Sequence, residues 1–160
     1  MSPARYVRSG PGSEEEPAPD LNLGLLCYVP YRAMETRVMQ AVRAAGFDDI
    51  TLAQARLFAR IGPEGTRITE LAEQAQVTKQ TAGFLVDQLE RGGYVRRVPD
   101  PADARAPLVC IAPRGQAAVG VARKAEAEVE VEWTRHLGKH GTAQLRRTLT
   151  RLREITDPYG

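Results

Sequence analysis

Between Arg91 and Arg114 the chain places five arginines, at 91, 96, 97, 105 and 114, against two aspartates, Asp100 and Asp103, a local net charge of +3. Guanidinium groups at that density suit phosphate, which they meet through paired, charge-assisted hydrogen bonds. Just upstream, Thr78, Lys79, Gln80, Thr81, Gly83 and Phe84 lie in the run VTKQTAGFLVDQLERGG. Gln can pair with adenine and Lys with guanine, and an apolar ring such as that of Phe84 can pack on a thymine methyl. Cations that hold phosphate beside polar groups that read bases are the chemistry of duplex DNA recognition.

Such side chains need elements to carry them. Thr78 is an N-cap type of residue ahead of KQTAGFLVDQLER, and Gly92-Gly93 is a stop signal after it. Within that helix Ala82, Leu85, Val86 and Leu89 recur at helical spacing and share a buried face, leaving Lys79, Gln80, Gly83, Phe84 and Asp87 on the other. Before it, Thr69 reads as the cap of a short helix, ELAEQA, and Ile68 as a short strand against a downstream hairpin. That hairpin is made of two β-prone runs, YVRRV and APLVCI, joined by PDPADAR, a segment longer than a two-residue hairpin turn. Helix, turn, helix and β-hairpin in this order predict a mainly α-helical winged helix-turn-helix. Its second helix would enter the major groove, and its hairpin would lie along the backbone with a cation in the minor groove.

The hairpin segment DPADAR follows LERGGYVRR and precedes hydrophobic strand residues and Gly115. It resembles the D-P-x-D-x-R signature of the MarR (multiple antibiotic resistance regulator) family, and the resemblance runs from about Leu21 to the C-terminus. It implies that Arg105 is the wing-tip arginine of the minor groove, that Asp103 holds it by an ion pair and that Asp100 closes the turn. Arg96 and Arg97 then fall on the phosphate side of the wing. The resemblance also implies a homodimer built from interleaved terminal helices on a pseudo-palindromic operator. A small-molecule effector of unknown identity would lie between the DNA-binding lobe and the dimer helices and would release a repressor from DNA. Ala112 stands where the family often has a Thr cap, with Pro113 fixing φ at the first helical position, and Gly83 and Phe84 stand where many members carry polar base-reading residues.

The rest of the chain frames this core. Residues 1–20, with Pro, Gly, Ser and the run Glu14–Glu16, have little to bury and are expected to be a disordered tail. Residues 21–160 are expected to form one domain, with a winged-helix core at about 51–112 and dimerisation helices at about 21–46 and 113–157. The first of these carries an apolar stripe at Tyr31, Met34, Val38, Ala41, Val42 and Ala45, and Pro30 should either start it near Val29 or kink it. Thr51 and Gln54 form a capping-box pair at the head of TLAQARLFARIG. After Pro113 a long helix is expected to about Leu137, breaking at Gly138 and Gly141. Thr142 should cap a last helix striped by Leu145, Leu149 and Leu152. Apolar stripes outside the core must be buried against something.

Other chemistry is weaker. No phosphate loop, nucleophile elbow or metalloprotease helix occurs, so no enzyme activity and no cofactor are expected. Glu132, His136 and His140 would share a face on an unbroken helix and suit Zn²⁺ or Ni²⁺, but Gly138 interrupts them, and exposed histidines near a helix end are the reading adopted, without a metal. Cys27, in LCYVPY, resembles the first-helix cysteine motif of hydroperoxide-sensing MarR-family members, with Pro30 as a departure; it is the redox candidate. Two cysteines far apart, no apolar run of membrane-spanning length and no signal peptide predict a cytoplasmic protein without a membrane partner. The alternatives to a ligand-responsive repressor are a peroxide-sensing regulator using Cys27 and a winged-helix protein-interaction module that does not bind DNA.

Overall fold

The computed structural model describes residues 20–157 and 159; the expected N-terminal tail lies almost entirely outside them. In chain order the elements are α1 (Leu23–Ala44), α2 (Leu52–Phe58), β1 (Thr66–Arg67), α3 (Ile68–Gln74), α4 (Lys79–Arg91), β2 (Val95–Asp100), β3 (Asp103–Ile111) and α5 (Pro113–Thr156). Among them β1, β3 and β2 form a three-stranded antiparallel sheet in that order. The mainly helical winged-helix architecture expected from the sequence is the one observed.

Helices α3 and α4 are the helix-turn-helix. Ala82, Leu85, Val86 and Leu89 of α4 are buried with Leu57, Leu71, Tyr94 and Val109, so the face read from helical spacing is the core face. Thr78 caps α4 by accepting the Thr81 N–H at 3.1 Å. At the other end Gly93 has φ +75, the Gly93 N–H reaches the Glu90 carbonyl and the Tyr94 N–H the Leu89 carbonyl. This is a Schellman stop, and it aims the chain into β2. The Thr51–Gln54 capping box at the head of α2 has both of its bonds, though the helix ends at Phe58, before Ile61.

Several expectations are corrected. Thr69 caps nothing: α3 begins at Ile68, with Arg67 at its cap position and no side-chain cap bond. The short strand is Thr66–Arg67 rather than Ile68, because β1 passes directly into α3. The wing strands run into PDPADAR and leave a two-residue loop, Pro101-Ala102, closed by the pair Asp100↔Asp103. The mismatch in length is absorbed by a register shift, since Ala104, Arg105, Ala106 and Pro107 lie opposite Pro99 alone. Pro99 and Pro107 have no N–H to give a ladder there, so little pairing is lost.

Pro30 neither starts nor breaks α1, which begins at Leu23 with the Asn22 side chain accepting the Leu25 N–H at 3.0 Å. The first half of α1 is exposed, so the carbonyl that Pro30 leaves without a donor is not trapped in a core. Its buried residues are Met39 and Val42, while Tyr31 and Ala45 of the expected stripe are exposed. In α5 a single residue, Gly138 at φ 74 and ψ 157, interrupts the helix, which resumes at once, and Gly141 continues it. Thr142 is therefore inside the helix, donating its hydroxyl to the Gly138 carbonyl at 3.1 Å. Gly138 folds the second arm back on the first, where Arg146 meets Glu130 at 2.8 Å. Where α5 starts, a Cβ on Gly115 would lie 2.2 Å from the Tyr94 carbonyl oxygen, so only glycine lets α5 approach the wing base this closely.

Candidate nucleic-acid interface and the cavity behind it

The two parts of the expected site come to lie side by side. Lys79, Gln80, Thr81, Phe84 and Asp87 are exposed along α4, and Gly83 is half-buried with open space where a side chain would begin. Phe84 is 57% exposed, on the outer face that helical spacing gives it and apart from the buried Leu85. It stands with Lys79, Gln80, Thr81 and Asp87 on the face of α4 turned away from the core. Thr78 and Thr81 face each other at the cap, with hydroxyls 2.9 Å apart.

The wing is held by two aspartates and by an arginine, Arg67, that no sequence pattern marks. Asp100 accepts the Ala102 N–H at 2.8 Å and so closes the turn, as the resemblance implied. It also accepts Nε and Nη2 of Arg67, at 2.9 and 2.5 Å, tying the wing tip to the start of α3. The Ala102 amide and the Arg67 guanidinium hold its carboxyl below the usual carboxylate range. Asp103 makes no ion pair with Arg105; it accepts the Arg105 backbone N–H at 3.0 Å. An aspartate two residues before a bulged position closes that local backbone bond more readily than it reaches the side chain. The Arg105 guanidinium has no acidic partner among the described residues and is exposed.

The five arginines divide by what they touch. Arg97 is half-buried: its N–H reaches Glu90 at 3.0 Å and its guanidinium joins Asp87, at 2.6 Å, and Glu90 on α4. Arg114 lies 4.4 Å over the Tyr94 ring, bonded to Asp49 and to the Gly92 carbonyl. Arg91 bonds only a carbonyl, that of Asp87. Among the described residues Lys79, Arg91, Arg96 and Arg105 are thus the cations of this face without an acidic partner. The ion pairs of Arg67, Arg97 and Arg114 span from 7 to 65 residues, and no local pattern marks them.

Where α1, α2 and α5 meet, a partly open apolar cavity of about 310 Å³ is lined by residues that include Val38, Met39, Val42, Phe58, Ile111 and Ala118, with Arg123 and Glu126 also on its wall. A groove of similar size lies between the arms of α5, on Trp133, Leu137, Leu145 and Leu149.

The remaining candidates are not assembled. Cys27 is exposed on α1, but the Tyr31 hydroxyl donates to Glu35 and the Tyr28 hydroxyl accepts from Arg32, each at 3.0 Å. Glu132 holds Arg37, and Gly138 parts His136 from His140. Among the described residues no three His, Cys, Asp or Glu side chains gather as a metal site, and no helix is long and apolar enough to cross a membrane.

Residues 48–106 match the family model described as MarR family. Among solved structures, a transcriptional regulator from Thermotoga maritima is 27% identical, with 84% of this chain and 92% of that one covered and a TM-score of 0.60. A structure of MarR is 25% identical over 87% of this chain and 93% of that one, with a TM-score of 0.72. The ligand-free MarR from E. coli is 23% identical over 84% and 98%, with a TM-score of 0.66, and shares the fold. No curated protein sequence matches the chain significantly. The helix-turn-helix and wing of this chain, residues 48–106, thus match the MarR family model, and the chain as a whole shares the fold of the MarR structure.

Proposed function

We propose that the chain is a homodimeric, DNA-binding transcriptional regulator that represses by occupying a pseudo-palindromic operator and is released by a small, mostly apolar ligand. The observation that carries this reading is the α4 face: Lys79, Gln80 and Phe84 stand exposed beside Arg96 and Arg105, none of the cations having an acidic partner among the described residues. Such a face joins base-reading groups to phosphate-binding ones. The similar proteins described as transcriptional regulators support the same class.

Dimerisation is supported by apolar surface that one chain leaves uncovered. Leu145, Leu149 and Leu152 are 43–44% exposed in a row on the second arm of α5, and Leu23, Leu26, Val29 and Tyr31 are exposed on α1. A second copy would cover both stripes and place two α4 helices on successive major grooves. Release by ligand is supported by the cavity at the joint between the winged helix and the α1/α5 helices. A molecule bound there shifts the lobes to the extent that it prefers one spacing over the other.

The deciding experiment is selection of bound duplexes from a random DNA pool. An inverted repeat with half-sites about one helical turn apart is expected. No enrichment over the input pool would leave the protein-interaction reading in its place.

A further inference from the structure

Helix α2 has seven residues and three contacts of different kinds. Arg56 gives Nε and Nη2 to Glu35 of α1, at 2.7 and 2.9 Å. Ala55, Phe58 and Ala59 form part of the cavity wall. Gln54, 6% exposed, turns towards the recognition helix. Its Oε1 accepts the Thr51 N–H at 2.8 Å, and its Nε2 donates to Oε1 of Gln88 on α4 at 2.8 Å. Among the described residues this is the side-chain hydrogen bond that joins α2 to α4.

A two-turn helix has little stability of its own, so its place is set by what it touches. Gln88 lies one turn beyond Phe84 on α4, so a bond at Gln88 acts, together with the buried Leu85 and Leu89, on the rotation of the turns that carry Phe84 and Gln80. A buried amide separated from its partner leaves both groups unsatisfied, which favours joint movement over parting. We infer that Gln54 is a positioning residue for the recognition helix, and that α2 carries occupancy of the cavity to α4 through the Gln54–Gln88 bond. This rests on the DNA-binding reading above and names the regulation of that same site.

The test uses Gln88→Met, which keeps the side chain's shape but removes the acceptor, and Gln54→Glu, which keeps both bonds. The introduced carboxyl donates to Gln88 when protonated and accepts from a turned Gln88 amide when ionised; either form accepts the Thr51 N–H. At fixed salt Gln88→Met should bind the selected duplex roughly tenfold more weakly, and Gln54→Glu should stay within about twofold of the parent. Wild-type affinity in Gln88→Met, or an equal loss in both variants, would overturn the positioning role.

The second arm needs no DNA. Ala122→Leu fills part of the cavity from the α5 side and stands in for a ligand. In the parent it should change amide exchange along α4; in the Gln88→Met background that change should vanish. An identical change in both backgrounds, or none in the parent, would overturn the transmission. If the parent binds no duplex at all, the DNA-binding reading fails, while the exchange arm still decides whether α2 and α4 are coupled.

Discussion

Arg97 on β2 meets Asp87 on α4 at 2.6 Å, so an arginine of the wing and an acid of the recognition helix neutralise one another across the joint between the two elements. With Glu90 as a third member, the cluster braces the wing against α4. Arg105, eight residues on, has no such acid among the described residues.

The two arginines should therefore fail differently. Arg97→Ala should lower the melting temperature by a few degrees, the effect of losing about 1 kcal/mol in a domain of this size. Arg105→Ala should melt like the parent and bind DNA more weakly, with a smaller preference for A·T-rich flanks. It should also make the slope of log affinity against log salt shallower by roughly 0.9, the counterion release of one cation. Melting curves and salt titrations of the two variants check this; a stability loss confined to Arg105→Ala would reverse the assignment.

Phe84 gives a sharper separation of stability from recognition. Because its ring is exposed, Phe84→Ala should leave the melting temperature within about 1–2 °C of the parent. Affinity for the selected duplex should fall by about 1–3 kcal/mol, with relaxed preference at one position, expected to be a thymine. Repeating the pool selection with the variant reads that position directly, and an unchanged sequence preference would remove Phe84 from the interface.

Assembly is read by light scattering. Two chains of 17.6 kDa should give a particle of twice that mass. Leu145→Glu with Leu149→Glu places charge on the exposed stripe and should shift the mass towards one chain at micromolar concentration, because burying unpaired carboxylates in an apolar interface is strongly unfavourable. A dimer that survives the double substitution would locate the interface elsewhere.

The cluster of Asp49, Tyr94 and Arg114 sets a pH dependence of folding. Burial, then the bond to Asp49, pushes the Tyr94 phenol up to about 12. Its neutral form is favoured in the folded chain, so that stability is complete below pH ~10, where an unfolded tyrosine titrates, and is lost as pH rises towards the folded value. The Arg114 guanidinium, then the Tyr94 hydroxyl, hold the Asp49 carboxyl below its usual range. That contribution is present above pH ~4 and is lost as pH falls through the folded value. Tyr94→Phe should flatten the alkaline limb and Asp49→Asn the acid limb of a plot of urea midpoint against pH.

The Thr78 cap, the Thr51–Gln54 box, the Gly92-Gly93 stop and the buried face of α4 were all legible in the chain, because each is settled by residues within a few positions of one another. The wing motif carried the family resemblance for the same reason. Short-range patterns also misled: Thr69 and Thr142 are good cap residues that tertiary structure left inside helices, since β1 running into α3 and the turn at Gly138 set those helix starts. The proline-rich wing segment reads as a long loop until the ladder on either side draws Asp100 and Asp103 together. The outward setting of Phe84 followed from helical spacing, which puts it opposite Leu85 and Leu89, but whether another element covers its ring was left to packing. Which arginines are taken up by Asp87, Asp49 and Asp100, how Gln54 finds Gln88, and where three helices leave an apolar cavity were decided by the tertiary structure alone. Those are contacts between residues up to 65 positions apart, and pairing at that range comes from how the elements pack, which no local spacing encodes.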